Sequence, residues 1–317
     1  MTECDVLVLR EGIHGMPAVE YATALRERVG GEVRLARTPA EERDLVAETP
    51  VVTGTSIDEA LLERADALEL FACAYAGTDH LPLDALAERG VAVTTASGVH
   101  GPNVAEHVVG SMLVFARRLH EGWRRQRRRE WRAYRSRELA DSTVTVVGLG
   151  AIGQATAERL AGFGVETLGI RYSPERGGPT DEVLGFEELH DALARTEYLA
   201  LACPLTEETR GLIDTAAFET VPSEAVLINV ARGPVVDTDA LVAALRSNAI
   251  RGAALDVTDP EPLPRDHPLW AFENALITPH SAGHTPRYYD RLADVVATNL
   301  ERVAESDAYE GLKNQVL

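Results

Sequence analysis

Short apolar, β-branched runs alternate with amphipathic helical stretches along most of the chain, the pattern of parallel sheets built from strand–helix–strand units. Toward the N-terminus the predicted strands are Val6–Leu9, Val33–Ala36, Val51–Thr53, Leu68–Ala72 and Val91–Thr94. Helix-like stretches such as Pro17–Val29 and Ile57–Arg64 separate them. From about Pro102 a long helical pattern begins and runs into an arginine-rich connector. A second strand series follows at Val144–Val147, Thr167–Ile170, Tyr198–Ala202, Ala225–Val230, Gly252–Val257 and Ala275–Ile277. Each half reads as a doubly wound parallel sheet, so the predicted fold is α/β with two such domains. A length of 317 residues is also long for one core. No internal repeat and no low-complexity linker is evident.

Composition narrows the classes. Hydrophobic residues make up 45%, enough for ordinary packed cores, and no apolar run is long enough to span a membrane. The N-terminus lacks a basic start followed by an apolar stretch, so a cytoplasmic location is expected. Cys4, Cys73 and Cys203 are far apart and form no C-x-x-C pair, against a disulfide framework. No His, Cys and carboxylate cluster has ligand spacing, so no metal site is expected. Asp and Glu total 50 against 31 basic residues, a formal net charge of −19, and the only lysine is Lys313. Such a chain repels phosphate backbones, which excludes an ordinary nucleic-acid binder. Lysine avoidance with acidic excess resembles a haloarchaeal protein; a GC-rich genome favouring arginine codons is the other reading. The connector Trp123–Arg137 is the one strongly basic stretch. Its arginines suit carboxylate pairing within the chain or across a subunit interface, and its tryptophans favour the interface of a homodimer.

The segment after Thr143 carries G-x-G-x-x-G at Gly148, Gly150 and Gly153. Alone the pattern is weak. Here a strand, Val144–Val147, precedes it and an amphipathic helix, Ala151–Leu160, follows, which is the setting of a Rossmann-like dinucleotide site. Gly148 would permit the tight turn, Gly150 the approach of a pyrophosphate, and Gly153 the packing of helix on sheet; Ala151 and Ile152 open the helix whose N-terminus favours the anion. An Asp or Glu about 20 residues farther on would hold the ribose of NAD. The strand Thr167–Ile170 instead ends in Arg171, Tyr172 and Ser173, and Glu166 lies at its other end. Arg171 can pair with a 2′-phosphate, so NADP(H) is the preferred cofactor, with NAD(H) also accepted in the alternative where Arg171 is only a solvated loop residue.

Downstream blocks place Arg232, Asp256, Glu261 and His280 near the carboxyl ends of strands, the edge where open α/β sheets bind ligands. Reduction of a keto acid needs a cation for the carboxylate and carbonyl, which arginine supplies as a fork. It also needs an acid to protonate the oxygen as hydride arrives, which a histidine paired with a carboxylate can be. The other histidines lack this context, and most read as surface or packing residues. At this point the chain resembles the D-isomer-specific 2-hydroxyacid dehydrogenase family, glyoxylate/hydroxypyruvate reductases above all, over essentially its whole length.

The resemblance implies Arg232 for substrate binding and polarisation, His280 as acid and base, Glu261 as its partner, and Asp256 for the nicotinamide carboxamide. It further implies that Tyr75, Ala76 and Gly77 help bind the substrate carboxylate and that Val104 lies near the cofactor. Cys203, Pro204 and Thr209 would form the loop over the adenosine, with Val230, Ala231 and Gly283 completing the cofactor contacts. By the same resemblance the substrate domain is discontinuous, 1–101 plus 285–317, around a dinucleotide domain at 102–284, with the active site in the cleft between them. Small 2-keto acids such as glyoxylate, hydroxypyruvate or pyruvate are the implied substrates and the D-2-hydroxy acid the product. Glu261 stands where formate dehydrogenases carry glutamine, which disfavours formate. A phosphoglycerate dehydrogenase lacking its regulatory domain and a dinucleotide-sensing corepressor-like binding protein remain the alternatives.

Overall fold

Strands buried on both faces organise the molecule, and in the computed structural model all their pairings are parallel. The structure describes residues 5–13 and 15–317; Cys4, named above, and His14 lie outside the described residues. The chain falls into two units, Met1–Val99 with His284–Leu317, and His100–Gly283.

The first unit holds β1 (Val6–Val8), β2 (Val33–Leu35), β3 (Val51–Gly54), β4 (Leu70–Cys73) and β5 (Ala92–Thr94) in the order β2-β1-β3-β4-β5. Alternate residues serve opposite layers, as the two-residue period of a strand requires. Val6, Val8, Leu70 and Ala72 face one core, with Leu25, Leu292 and Val296. Leu7, Val52, Phe71 and Val93 face the other, with Leu62 and Leu86. The C-terminal helix Tyr288–Ser306 closes the first layer, where Tyr289 stacks on Tyr21 at 5.2 Å between ring centroids.

The second unit holds β6 (Thr143–Val147), β7 (Glu166–Ile170), β8 (Glu182–Leu184), β9 (Tyr198–Leu201), β10 (Val226–Asn229), β11 (Gly252–Leu255) and β12 (Ala275–Ile277). Their order is β12-β11-β10-β9-β6-β7-β8, so the winding direction reverses at β6, the place where such sheets bind ligands. Helices Gly101–Ala116 and Ala151–Leu160 cover one face through Val108, Met112 and Leu160. Helices Leu189–Leu193 and Thr238–Ser247 cover the other through Leu193, Leu241 and Leu245.

Two elements differ from expectation. Strand β8 is an edge strand of three residues beginning with a charge, too short and too polar to show a period. The connector, given no secondary structure above, begins inside a helix, Leu119–Arg128, flanked by left-handed Arg118 and Arg129. An i,i+4 pair explains part of this, since Arg125 Nε donates to Glu121 Oε1 at 2.5 Å. Beyond it, residues 130–138 are irregular and Trp131 is fully exposed.

Candidate active site

The glycine turn follows β6 at the reversal point. Gly148 has φ +95, and a Cβ there would stand 2.6 Å from the backbone of Cys203. A Cβ on Gly153 would stand 1.9 Å from the Gly148 carbonyl oxygen, so only glycine lets the helix start so close to the strand. Around Gly150 that space is open, with nothing within 4 Å. Gly150 is extended and serves as N-cap with no side-chain cap, and Ala151 and Ile152 form the first turn beyond it. Val104 is buried in the first turn of the neighbouring helix.

Beside this turn, β9 runs into Cys203 and Pro204. Burial pushes the Cys203 thiol up to about 11, so it stays an un-ionised, weakly reactive group at neutral pH. The hydroxyl of Thr209 is committed to its own loop: it donates to Pro204 O at 2.6 Å and accepts from Thr206 N at 2.8 Å. After β7, the Arg171 guanidinium donates to the carbonyl of Gly177 and closes the loop that carries Ser173. Tyr172 is exposed.

Arg232 follows β10 and is exposed, its Nη1 donating to Ala231 O at 2.7 Å; Val230 and Ala231 before it are buried. The loop is braced by Asn229, whose Oδ1 accepts from Ala231 N at 3.0 Å and whose Nδ2 donates to Arg232 O at 3.1 Å. His280 follows β12 in the left-handed region, φ +49, and its Nδ1 donates to Glu261 Oε1 at 2.6 Å. Both side chains are about half exposed, at 51% and 40%. They border a cavity of about 590 Å³ whose other walls include Leu263, Trp270 and Ile277.

Buried Asp256 holds His280 in that conformation. Its carbonyl accepts from His280 N at 2.8 Å. Its Oδ1 accepts from Thr278 Oγ1 at 2.6 Å and Ser281 N at 2.9 Å, and its Oδ2 from Ala282 N at 2.9 Å. His107 Nε2 lies 3.4 Å from Thr278 Oγ1. Asn103 donates to Ala282 O at 2.7 Å, and His100 Nδ1 lies 2.9 Å from Gly283 O. Asn229, Thr278, His107, His100 and Asn103 thus brace the segments that carry Arg232 and His280, and nothing in the sequence context of His100 or His107 announces it. Their one legible signal is that they stand inside or opposite the blocks that carry Arg232 and His280.

In the first unit, Tyr75, Ala76 and Gly77 follow β4 at the corresponding edge. Ala76 and Gly77 are exposed, while Tyr75 is half-buried, edge-on to the His80 ring at 5.6 Å. Among the described residues no cluster of three or more His, Cys, Asp or Glu side chains is placed to hold a metal, and no helix is long and apolar enough to cross a membrane.

Residues 109–282 match the family described as D-isomer specific 2-hydroxyacid dehydrogenase, NAD binding domain. A glyoxylate reductase of Thermofilum pendens is 38% identical over 82% of this chain and 78% of its own. The chain belongs to the D-isomer specific 2-hydroxyacid dehydrogenase family. It is an oxidoreductase that uses a nicotinamide dinucleotide and interconverts 2-keto and 2-hydroxy acids. A D-3-phosphoglycerate dehydrogenase of Methanocaldococcus jannaschii is 31% identical over 94% of this dehydrogenase, which spans 58% of that relative's length. Among solved structures, a D-isomer specific 2-hydroxyacid dehydrogenase from Xanthobacter autotrophicus Py2, in complex with NADPH and MES, superposes with a TM-score of 0.79. It is 32% identical, and 98% of each chain is covered. The open space at Gly150, before an uncapped helix N-terminus, fits the pyrophosphate such a cofactor carries.

Proposed function

We propose that this dehydrogenase reduces a small 2-keto acid, glyoxylate or hydroxypyruvate before pyruvate, to the D-2-hydroxy acid with His280 as proton donor. The observation that carries this reading is the His280–Glu261 pair at 2.6 Å, on the same strand edge as Arg232 and the glycine turn. The reduced nicotinamide, when bound, supplies the hydride that reaches the carbonyl carbon. Arg232 grips the carboxylate and draws density toward the carbonyl oxygen. The Nε2–H of His280 delivers the proton to that oxygen, and in the oxidative direction bare Nε2 takes it back. Glu261, by accepting from Nδ1, fixes which ring nitrogen faces the substrate. The exposed backbone of Ala76 and Gly77 receives the substrate carboxylate, and the substrate domain comprises 1–101 with 285–317 around the dinucleotide domain 102–284. Val104, the turn Gly148–Gly153, Cys203, Pro204, Thr209, Val230, Ala231, Asp256 and Gly283 form the cofactor's surroundings. Asp256 serves the nicotinamide end mainly by holding residues 280–282.

Steady-state assays with glyoxylate, hydroxypyruvate, pyruvate and 3-phosphohydroxypyruvate test the reading. The expected order places glyoxylate or hydroxypyruvate first, with the D-isomer formed from hydroxypyruvate and pyruvate. A preference for the phosphorylated acid would make the protein a phosphoglycerate dehydrogenase, and no turnover with any of them would favour the binding-protein alternative.

Three further attributes belong to the proposal. NADPH is the preferred cofactor. The protein is a homodimer whose interface includes the helix from Pro102 and the arginine-rich connector, where Trp123 and Trp131 are exposed. It is also a cytoplasmic protein of a haloarchaeon, because a net charge of −19 with one lysine is tolerable where salt screens it. Its melting temperature should rise steadily from low to molar KCl, the Debye length shrinking to about 3 Å near 1 M. A level curve would assign the arginine bias to codon usage.

A further inference from the structure

At the opposite end of the second sheet from the glycine turn, a cavity of about 610 Å³ opens beside the N-terminal ends of β10, β11 and β12. Five arginines line it, Arg118, Arg124, Arg135, Arg137 and Arg251, against two glutamates, Glu224 and Glu273. In a chain of net charge −19 this is a local reversal of sign. The glutamates are already engaged: Arg137 pairs with Glu224 at 2.6 Å, and Arg124 with Glu273. Among the described residues Arg118, Arg135 and Arg251 have no ion pair.

Arg251 is the centre of the arrangement. It stands immediately before β11, its backbone N–H bonded to Ala225 O at 2.9 Å, so its base is fixed by the sheet. Its guanidinium carbon lies 5.2 Å from the ring centroid of buried Tyr198, a cation–π contact that restrains the head group. Its Nε and Nη2, like Nε of Arg124, are buried and have no hydrogen-bond partner among the described residues. Buried guanidinium donors without acceptors are costly, and an anion that supplies those acceptors removes the cost. The positive field is felt by His120 on the same wall. Burial, and behind it the charges of Arg124 and Arg118, push its imidazole below the usual range.

We infer that this cavity is a binding site for an oxyanion presenting two or more oxygens, a phosphate or carboxylate group, held by the planar fork of Arg251. It lies about one strand length, roughly 13 Å, from the carboxyl edge that carries His280, and so is separate from the dinucleotide site. Two sources offer that chemistry: a free phosphate or polycarboxylate, or an Asp or Glu of a second copy, since Arg135 and Arg137 belong to the connector assigned above to the dimer interface. Only the second source rests on that assignment.

The test follows thermal unfolding of wild type and Arg251→Gln at fixed ionic strength, with inorganic phosphate replacing chloride, alongside sedimentation velocity. For a free anion, the wild-type melting temperature rises saturably with phosphate, and the variant needs about tenfold more, one charge-assisted contact having been lost. For a carboxylate of the second copy, phosphate affects wild type and variant alike or not at all, and the variant dimerises about tenfold more weakly. Either result keeps the site and names its source. Phosphate bound at the dinucleotide turn, or a general salting effect, would act on both proteins alike. Equal phosphate response together with equal association overturns the inference. Should Arg251→Gln fail to fold, Arg135→Gln, exposed at the rim, takes the same measurements.

Discussion

His280→Ala is expected to lower kcat for keto-acid reduction by roughly 10²–10⁴-fold, the usual worth of a positioned general acid. Dinucleotide affinity, read by fluorescence titration, should hardly change, because the glycine turn and Arg171 are untouched. The fold should also survive. The His280 side chain is half exposed and its one hydrogen bond among the described residues is to Glu261. What keeps this segment in its left-handed turn is the backbone, tied to the carbonyl and carboxylate of Asp256. Arg232→Ala should lose a comparable factor, mostly through binding and polarisation of the acid, and Arg232→Lys should recover little because an ammonium cannot offer the paired donors. Glu261→Gln keeps an acceptor for Nδ1 and should be milder than Glu261→Ala, which frees the ring to rotate. A His280→Ala protein that keeps more than a tenth of wild-type turnover would remove histidine from the chemistry.

The sequence and the structure agree where a local rule decides the outcome. A strand buried on both faces needs only a short apolar run, and β6, β7 and β9–β12 all stand where such runs were read. The turn after β6 is written in glycines whose reasons are steric and local, and the helix Ala151–Leu160 has the predicted bounds. Edge strand β8 escaped because three residues carry no period. Spatial supports of the site escaped for a different reason. His107 meets Thr278 across 171 positions of sequence, and His100 meets Gly283 across 183. No spacing rule links residues so far apart. Asp256 illustrates the same limit: a carboxylate at a strand end reads as a ligand group, yet in the fold its two oxygens accept three hydrogen bonds from the residues around His280. Its contribution is made through the segment it holds, and that depends on β11 and β12 being neighbours.

Arg171→Asp is expected to turn a preference for NADPH into one for NADH, a change of about 10²–10³ in the ratio of their kcat/KM values. Two effects add: a charge-assisted contact worth about 1.5–3 kcal/mol is lost, and a carboxylate is set against the 2′-phosphate. The position is right for it. Arg171 directly follows β7, the strand beside β6, and no acid occupies the carboxyl end of that strand. Glu166 lies at the far end, where its Oε2 accepts from Thr143 Oγ1 at 3.0 Å, so it cannot serve the ribose. Of the five donors on the Arg171 guanidinium, one closes the loop onto Gly177 O. That tie holds the side chain over the loop, with Ser173 and Arg176 nearby in sequence to add contacts to the same phosphate. Aspartate at 171 would lose the tie as well, so Arg171→Ala separates the terms. It should weaken NADPH while leaving NADH nearly as before, whereas the aspartate variant should also strengthen NADH by accepting from the ribose hydroxyls. If wild type already works better with NADH, the loop has a purely structural guanidinium and the preference resides elsewhere in the chain.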